Sequence, residues 1–353
     1  MPLLMALMIG LSYAAAAKPS LWIIDVAPET SSSDYSIDEE LQEIKGASMV
    51  AFADGRKLFK NCQADLHIKV ARGKEDDLID AIKAIPKSAE PSAMVGVART
   101  NSARLAAFTL RGTPVLGVSV GAAAGNTGLI NANFFSVATS WEAQWEKIQK
   151  ELTKRKCKKV AGIFNPSSFL SKLYQERFRE HHIGDVYRTD FFPDGKISNG
   201  TDCVVFGANY SDSIAALGSV IKAKNVGFLI ATGDWHMARN EIRNLRLDAD
   251  HPVELWSTTG WGDQRGRANR ILAELKKVGI NKTTPIAPYT YDATLLALDY
   301  LCNGKRPSKA ASSALNALLL RSYSGTTETG NLISPTFLQK IELNFKQEKR
   351  HDP

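Results

Sequence analysis

Short apolar runs along this chain alternate with longer stretches in which apolar residues recur every third or fourth position, a pattern that predicts strands separated by helices. Leu21–Val26 (LWIIDV), Ala64–Val70 (ADLHIKV), Met94–Val97 and Pro114–Val118 read as strands, with helices ending at Phe52, over Asp76–Ala84 (DDLIDAIKA) and over Ala103–Leu110 between them. The rhythm then restarts. Trp141–Leu152, Ser168–His181 and Ser211–Ala223 read as helices, the last with Ser211 as N-cap, and Lys159–Phe164, Cys203–Phe206 and Gly227–Ile230 as strands, with Asp185–Phe191 extended. Parallel neighbours need a crossover, and a helix between successive strands supplies it. The expected fold class is therefore α/β, in two units that are each a parallel sheet flanked by helices.

Length and composition agree with two units. The 353 residues are long for one core and suit two lobes, and 44% hydrophobic with 23% charged residues leaves ample apolar surface to bury. The formal charge of +7 arises from 44 basic against 37 acidic residues, with small basic clusters at Lys154–Lys159 and Lys346–Arg350. No aromatic-and-basic motif accompanies these clusters, so no nucleic acid partner is expected, and a solvated basic face that suits an anionic membrane surface is.

Leu3–Leu11 is apolar and Ala14–Ala17 precede Lys18, which reads as a signal peptide over residues 1–17, although no Lys or Arg precedes Lys18. The run is too short to span a bilayer and no later apolar run is long enough, so an exported, soluble, periplasmic protein is expected rather than a membrane-embedded one. Cys62, Cys157, Cys203 and Cys302 show no Cys-x-x-Cys or Cys/His spacing, so neither a metal site nor a cofactor is expected. Cys157 and Cys203 each precede a strand and either pair across neighbouring strands or remain buried thiols.

In sheets of this kind ligands gather beyond the carboxyl ends of the strands, where backbone N–H groups and helix N-termini converge. The loops at those places are Pro28–Tyr35, Ala98–Ser102, Ser119–Gly125, Asn165–Phe169, Ala208–Ser211 and Thr232–His236.

Five passages, in order, carry a family resemblance: Val95–Ser102, Thr113–Gly117 followed by VSVGAAAGNTG, Asn133–Phe135 with Thr139–Ser140, Tyr291–Asp299 (YDATLLALD) and Ser324–Ser334 (SGTTETGNLIS). They resemble the type I periplasmic binding proteins, in the branch of leucine/isoleucine/valine-binding proteins and related receptor ligand-binding regions. The resemblance implies two Rossmann-like lobes joined by a three-segment hinge, residues 18–138 with 258–322 and 139–257 with 323–353, with crossovers near Ala138, Ser257 and Tyr323.

It also implies a ligand site. Thr100, Ser119 and Gly121 stand where the first lobe holds a ligand carboxylate, while Phe169, Tyr210 and Asp234 stand where the second supplies aromatic walls and an acid, with Tyr35 on the facing loop. A buried zwitterion needs a partner for each charge, which this set provides. Three departures leave the ligand's identity open: Arg99-Thr100-Asn101 replaces a Ser-rich loop, Gly117-Val118 replaces Ser-Pro, and Phe169-Leu170 replaces Tyr-Gly. Arg99 reads two ways, as a fork for a second carboxylate or phosphate if it faces the cleft and as a surface cation if it does not. Trp235, beside Asp234, either walls the ligand or packs the hinge.

Catalytic readings are weaker. Gly117–Gly121 (GVSVG) matches a nucleophile elbow at Ser119, but the acid and histidine it needs, Asp234 and His251, have no recognisable catalytic context. Asp292 could pair with Asp234, yet it reads as a cap opening a helix. Gly117–Gly128 fits neither dinucleotide nor phosphate-loop templates. The sequence thus points to a non-enzymatic solute-binding protein that captures a small polar, amino-acid-like ligand by hinge closure for an ABC-type transporter permease or receptor. The competing reading is a protein-interaction or sensory module that keeps the fold without the small-molecule site.

Overall fold

A computed structural model of the protein describes residues 18–27, 37–72, 75–87, 91–124, 126–181, 184–191, 197–233, 235, 238–249, 251–260, 265–280, 286–307 and 311–345. Strands β1 (Ser20–Ala27), β2 (Asp65–Arg72), β3 (Ser92–Gly96), β4 (Leu116–Ser119) and β5 (Phe134–Ser136) form a parallel sheet in the order β2-β1-β3-β4-β5. Alternate side chains feed opposite cores, as the two-residue period of a strand requires. Leu21, Ile23, Ala93, Val95, Leu116 and Val118 face one side, against α1 (Ile37–Leu58), α9 (Arg265–Lys277), α10 (Ile286–Asn303) and α11 (Ser313–Leu318). Trp22, Ile24 and Met94 face the other, against α2 (Glu75–Lys83) and α3 (Thr100–Thr109). Both faces are covered, which is why these strands read as continuous apolar runs.

The second sheet repeats the plan. Its strands are β6 (Val160–Phe164), β7 (Val186–Arg188), β8 (Cys203–Phe206), β9 (Phe228–Ala231), β11 (Glu254–Thr259) and β12 (Phe337–Ile341), in the order β12-β11-β9-β8-β6-β7. Trp145, Ile148, Leu152, Tyr174 and Phe178 of α5 (Trp141–Lys154) and α6 (Phe169–His181) cover one face, and Ala216, Leu217, Val220 and Ile242 of α7 (Tyr210–Val220) and α8 (Arg239–Asn244) cover the other. A short helix α4 (Thr127–Ile130) and a two-stranded pair of β10 (Arg246–Leu247) with β13 (Asn344–Phe345) complete the fold. The chain passes between the sheets three times: after β5, after β11 and before β12.

Four details differ from the sequence reading. β12 runs antiparallel to β11, because the last crossover delivers it to the end of the sheet where the other strands finish. Residues 185–191 hold only the short β7 and one 3-10 turn, Thr189–Phe191. Asn209, not Ser211, is the N-cap of α7, with no side-chain cap bond. Asp292 does not open a helix, since α10 begins at Ile286 and carries it fully buried.

All four cysteines are paired, as Cys62–Cys302 across 240 residues and Cys157–Cys203 across 46. The first ties the end of α1 to the last turn of α10, the second ties the α5–β6 turn to the start of β8. Closing longer loops removes more unfolded-chain entropy, so Cys62→Ser with Cys302→Ser is expected to cost about 5 kcal/mol and Cys157→Ser with Cys203→Ser about 4 kcal/mol. Guanidinium unfolding of both double variants checks this, and a larger loss for the shorter loop would contradict the entropic ranking.

Candidate ligand cleft and hinge

Where β3 ends, Val97 takes a left-handed backbone (φ 50°), an uncommon conformation for a β-branched residue. That turn is held from two sides. The Val97 N–H donates to the Ile24 carbonyl at 3.1 Å, and the Ser119 hydroxyl, at the end of β4, donates to the Val97 carbonyl at 2.8 Å. Ser119 Oγ also accepts the N–H groups of Ala122 and Gly121, at 3.2 and 3.4 Å. Its hydroxyl is therefore spent on joining the two loops of the first lobe, and the side chain is fully buried. A methyl group at Gly121 would collide with the carbonyl of Ala98, so glycine permits the close approach of these loops.

Helix α3 starts in this turn with Arg99 as an extended N-cap that gives no side-chain cap bond. Its first-turn N–H groups, at Thr100, Asn101 and Ser102, form the electropositive end of the helix dipole. Thr100 is half-buried there, while Arg99 and Asn101 are exposed. One turn on, Arg104 shares the Thr100 face of the helix and places its guanidinium 5.4 Å from the ring centre of Phe169, the first residue of α6 in the second lobe. Arg104 was missed in the sequence, where it is one basic residue among many.

On the second lobe, Asn165 Nδ2 donates to Asp212 at 2.6 Å and Asn165 Oδ1 accepts the Ser167 N–H at 2.8 Å, so the loops after β6 and β8 are locked together beside Phe169. Phe169 is 41% exposed and is available as a wall. Tyr210 is buried at the start of α7, edge-on to Trp235 at 5.5 Å. Trp235 is completely buried, leans on Phe206 at 4.5 Å and donates Nε1–H to the Ala208 carbonyl at 2.8 Å. It packs the second lobe and is not a stacking surface. Tyr35 and Asp234, with His236, lie outside the described residues. The elbow reading of Ser119 finds no partner in His251, whose Nε2 is 2.9 Å from the Val226 carbonyl at the far end of the second lobe. Among the described residues no cluster of His, Cys, Asp or Glu is arranged for a metal ion, and no helix is long and apolar enough to cross a membrane.

The three crossovers meet at one buried cation. Arg321 is 3% exposed and donates to the Val137 carbonyl at 2.6 Å, to Thr139 Oγ1 at 3.2 Å and to Ser334 Oγ, which are contributions from the first and third crossovers. Tyr289 and Tyr323 flank its guanidinium, with ring centres at 4.8 and 5.5 Å, and the Tyr289 hydroxyl accepts the N–H of Gly260 in the second crossover at 3.1 Å. Gln144 adds a second knot: its Nε2 donates to the Thr139 carbonyl at 3.1 Å, and its Oε1 accepts from Gly233 N–H at 2.9 Å and Thr258 Oγ1 at 3.0 Å. The sequence signal for Arg321 was its isolation, as the one charge between Lys309 and Glu328.

Asp292 completes the crossover junction. Its carboxylate accepts the N–H groups of Leu320 and Arg321, at 2.8 and 3.2 Å, and the Tyr323 hydroxyl at 2.8 Å. Burial pushes its pKa up to about 7, against the pull of these donors and of the Arg321 charge.

No family model matches the chain, and no curated protein sequence matches it. Solved structures do match in fold. An ABC transporter substrate-binding protein from Desulfitobacterium hafniense, in complex with Leu, superposes with a TM-score of 0.66 at 11% identity over 92% of this chain and 98% of that one. A solute-binding protein of an ABC transporter from Rhodopseudomonas palustris, in complex with p-hydroxybenzoic acid, gives 0.66 at 14% identity over 92% and 93%. The branched-chain amino acid transporter substrate-binding protein from Streptococcus pneumoniae, in complex with isoleucine, gives 0.66 at 15% identity over 91% and 95%. The structural neighbours are consistently type I periplasmic binding proteins of the leucine/isoleucine/valine-binding type.

Because the folded state holds the Asp292 proton more tightly than the unfolded chain, stability should fall as pH rises from about 4 to about 7 and level off above. Glu254, held down to about 2 by its bonds to Lys340 and Trp256, titrates well below that window. Asp292→Asn should flatten the slope while lowering stability throughout, since an amide N–H would face a backbone N–H donor. Urea midpoints across this range decide it; an unchanged slope in the variant would assign the titration elsewhere.

Proposed function

We propose that this chain, which carries the type I periplasmic binding protein fold, is an extracytoplasmic solute-binding protein that captures a small polar or amino-acid-like ligand by hinge closure and presents it to an ABC-type transporter or a receptor. The observation that carries this reading is the opposition of two sets of strand-end loops, with Arg104 of one lobe reaching Phe169 of the other around a knotted three-segment hinge. Fold neighbours that hold leucine, isoleucine or p-hydroxybenzoic acid support a solute role without naming this chain's ligand. Two disulfides favour an oxidising compartment outside the cytoplasm.

The moving bodies in this proposal are residues 18–138 with 258–322 and residues 139–257 with 323–353. Thr100, Gly121 and the N–H groups that open α3 would take a ligand carboxylate, with Arg99 and Asn101 at the rim. Phe169 and Asp234 would face them from the second lobe, with Tyr35, which falls between β1 and α1 in the chain. Ser119, Tyr210 and Trp235 serve by fixing the loops. The burial of Ser119 and Trp235 is the one observation that favours the competing reading, a protein-interaction or sensory module without a solute.

A thermal-shift screen of amino acids, aromatic acids, short amides and anions tests both. A true ligand at a hundredfold excess over its Kd adds about 2.7 kcal/mol of stability. That gain should vanish in the Thr100→Ala, Asp234→Ala double variant. Full stabilisation in the variant would sink the proposed site, and silence across the screen would favour the module.

A further inference from the structure

Five segments meet at the edge of the first sheet opposite the cleft, where its strands begin. They are the residues before β1, the α1–β2, α2–β3 and α3–β4 turns and the end of α10. Their convergence is fixed by bonds. The Asp65 N–H donates to the Pro19 carbonyl at 2.9 Å, Ser20 N–H to the Pro91 carbonyl at 3.2 Å, and the Tyr300 hydroxyl to the Pro114 carbonyl at 3.1 Å, while Cys62–Cys302 staples α10 to the α1–β2 turn. This edge carries Lys18, Arg56, Lys57, Lys60, Lys83, Lys87, Arg111, Lys305 and Arg306, all exposed. Among the described residues of the same segments and the helix ends that lead into them, Asp65 and Asp80 are the exposed acids, and Lys57 pairs with the buried Asp54 at 3.4 Å. A groove of about 500 Å3 opens beside Lys60 between Pro19, Phe59 and Leu301.

The matching edge of the second sheet looks basic in sequence, at Lys154–Lys159, but part of its charge is paired within the fold. Arg155 pairs with Glu151 and Glu254 at 2.9 and 2.7 Å, Lys340 with Glu254 at 2.8 Å and Lys159 with Asp185 at 3.7 Å, and Asp202 accepts the N–H groups of Lys158 and Lys159. The other basic run, Lys346–Arg350, lies outside the described residues. Exposed cations thus outnumber exposed acids on this pole of the first lobe, on side chains spread over a rigid, cross-linked base.

We propose that this pole docks on an anionic phospholipid surface. A dispersed array of flexible, exposed cations matches a field of headgroup phosphates better than it matches one ligand, and the attraction adds up over side chains within a Debye length of the surface. Docking through the pole leaves the cleft, at the opposite edge of the sheet, free to open and close.

The test uses the full chain with phosphatidylglycerol–phosphatidylcholine vesicles and with pure phosphatidylcholine vesicles in co-sedimentation. Wild type should bind the anionic vesicles alone and be released by about 0.5 M salt. Replacing Lys60, Lys83, Lys87 and Lys305 together by Gln should weaken binding by roughly fivefold per lysine. The control, Lys154, Lys158, Lys222 and Lys224 to Gln, makes the same change in net charge on the second lobe and should leave binding within a few-fold of wild type, with unchanged melting temperatures in both. Equal losses in the two variants would reduce the effect to net charge and overturn the proposal. So would equal binding to neutral vesicles, or retention on heparin without binding to anionic vesicles.

Discussion

A guanidinium buried where three chain segments cross is the constraint around which the rest of this molecule is arranged. Removing a cation from water is expensive unless it finds partners, and the two terminal nitrogens of Arg321 donate to the Val137 carbonyl, Thr139 and Ser334, between two tyrosine faces, while its Nε has no partner among the described residues. Those partners belong to crossovers that are far apart in sequence, so satisfying one side chain fixes where two lobes can part. Asp292 repeats the logic with opposite charge, taking backbone N–H groups that follow α11 and so anchoring the segment that carries Arg321. Under the hinge closure proposed above, such a junction would restrict the lobes to motions that keep its bonds.

From that junction the cleft loops inherit their order. Asn331, in the third crossover, donates to the carbonyls of Ala122 and Ala138 at 3.0 and 3.3 Å, and Ser136 donates to the Ala122 carbonyl at 2.8 Å. The loop that follows β4 is thus held by the hinge on one side and by Ser119 on the other. If this surface binds a ligand as proposed, it needs little ordering when the ligand arrives, which limits the entropy lost on association.

Periodicity made the sheets legible: strands such as LWIIDV and CVVF are apolar on both faces because helices cover both, and nothing local competes with that reading. The antiparallel β12 was not legible, since its direction is set by a long-range crossover rather than by its own residues. Family order located Thr100, Gly121 and Phe169 in strand-end loops, but sequence cannot show which way a side chain turns. Ser119 and Trp235 sit in the expected loops and point inward, to Val97 and Ala208. Arg104 and Arg321 depend on contacts across 65 residues and more than 180 residues respectively, so their partners cannot be read from the chain, and only the isolation of Arg321 between Lys309 and Glu328 marks it out.

The disulfide between Cys62 and Cys302 also bears on how the chain is made. Residues 20–136 supply all the strands of the first sheet, yet α10, which covers one face of it, ends at Asn303. During synthesis the apolar face of Leu21, Ile23 and Val95 therefore has α1 on it but lacks α10 while the intervening residues form most of the second sheet. Long-range closure of this kind is slow, and a bare sheet face is the surface from which chains associate wrongly. The lobe that begins first is the lobe that finishes late, because its last large helix is made only after most of the second sheet.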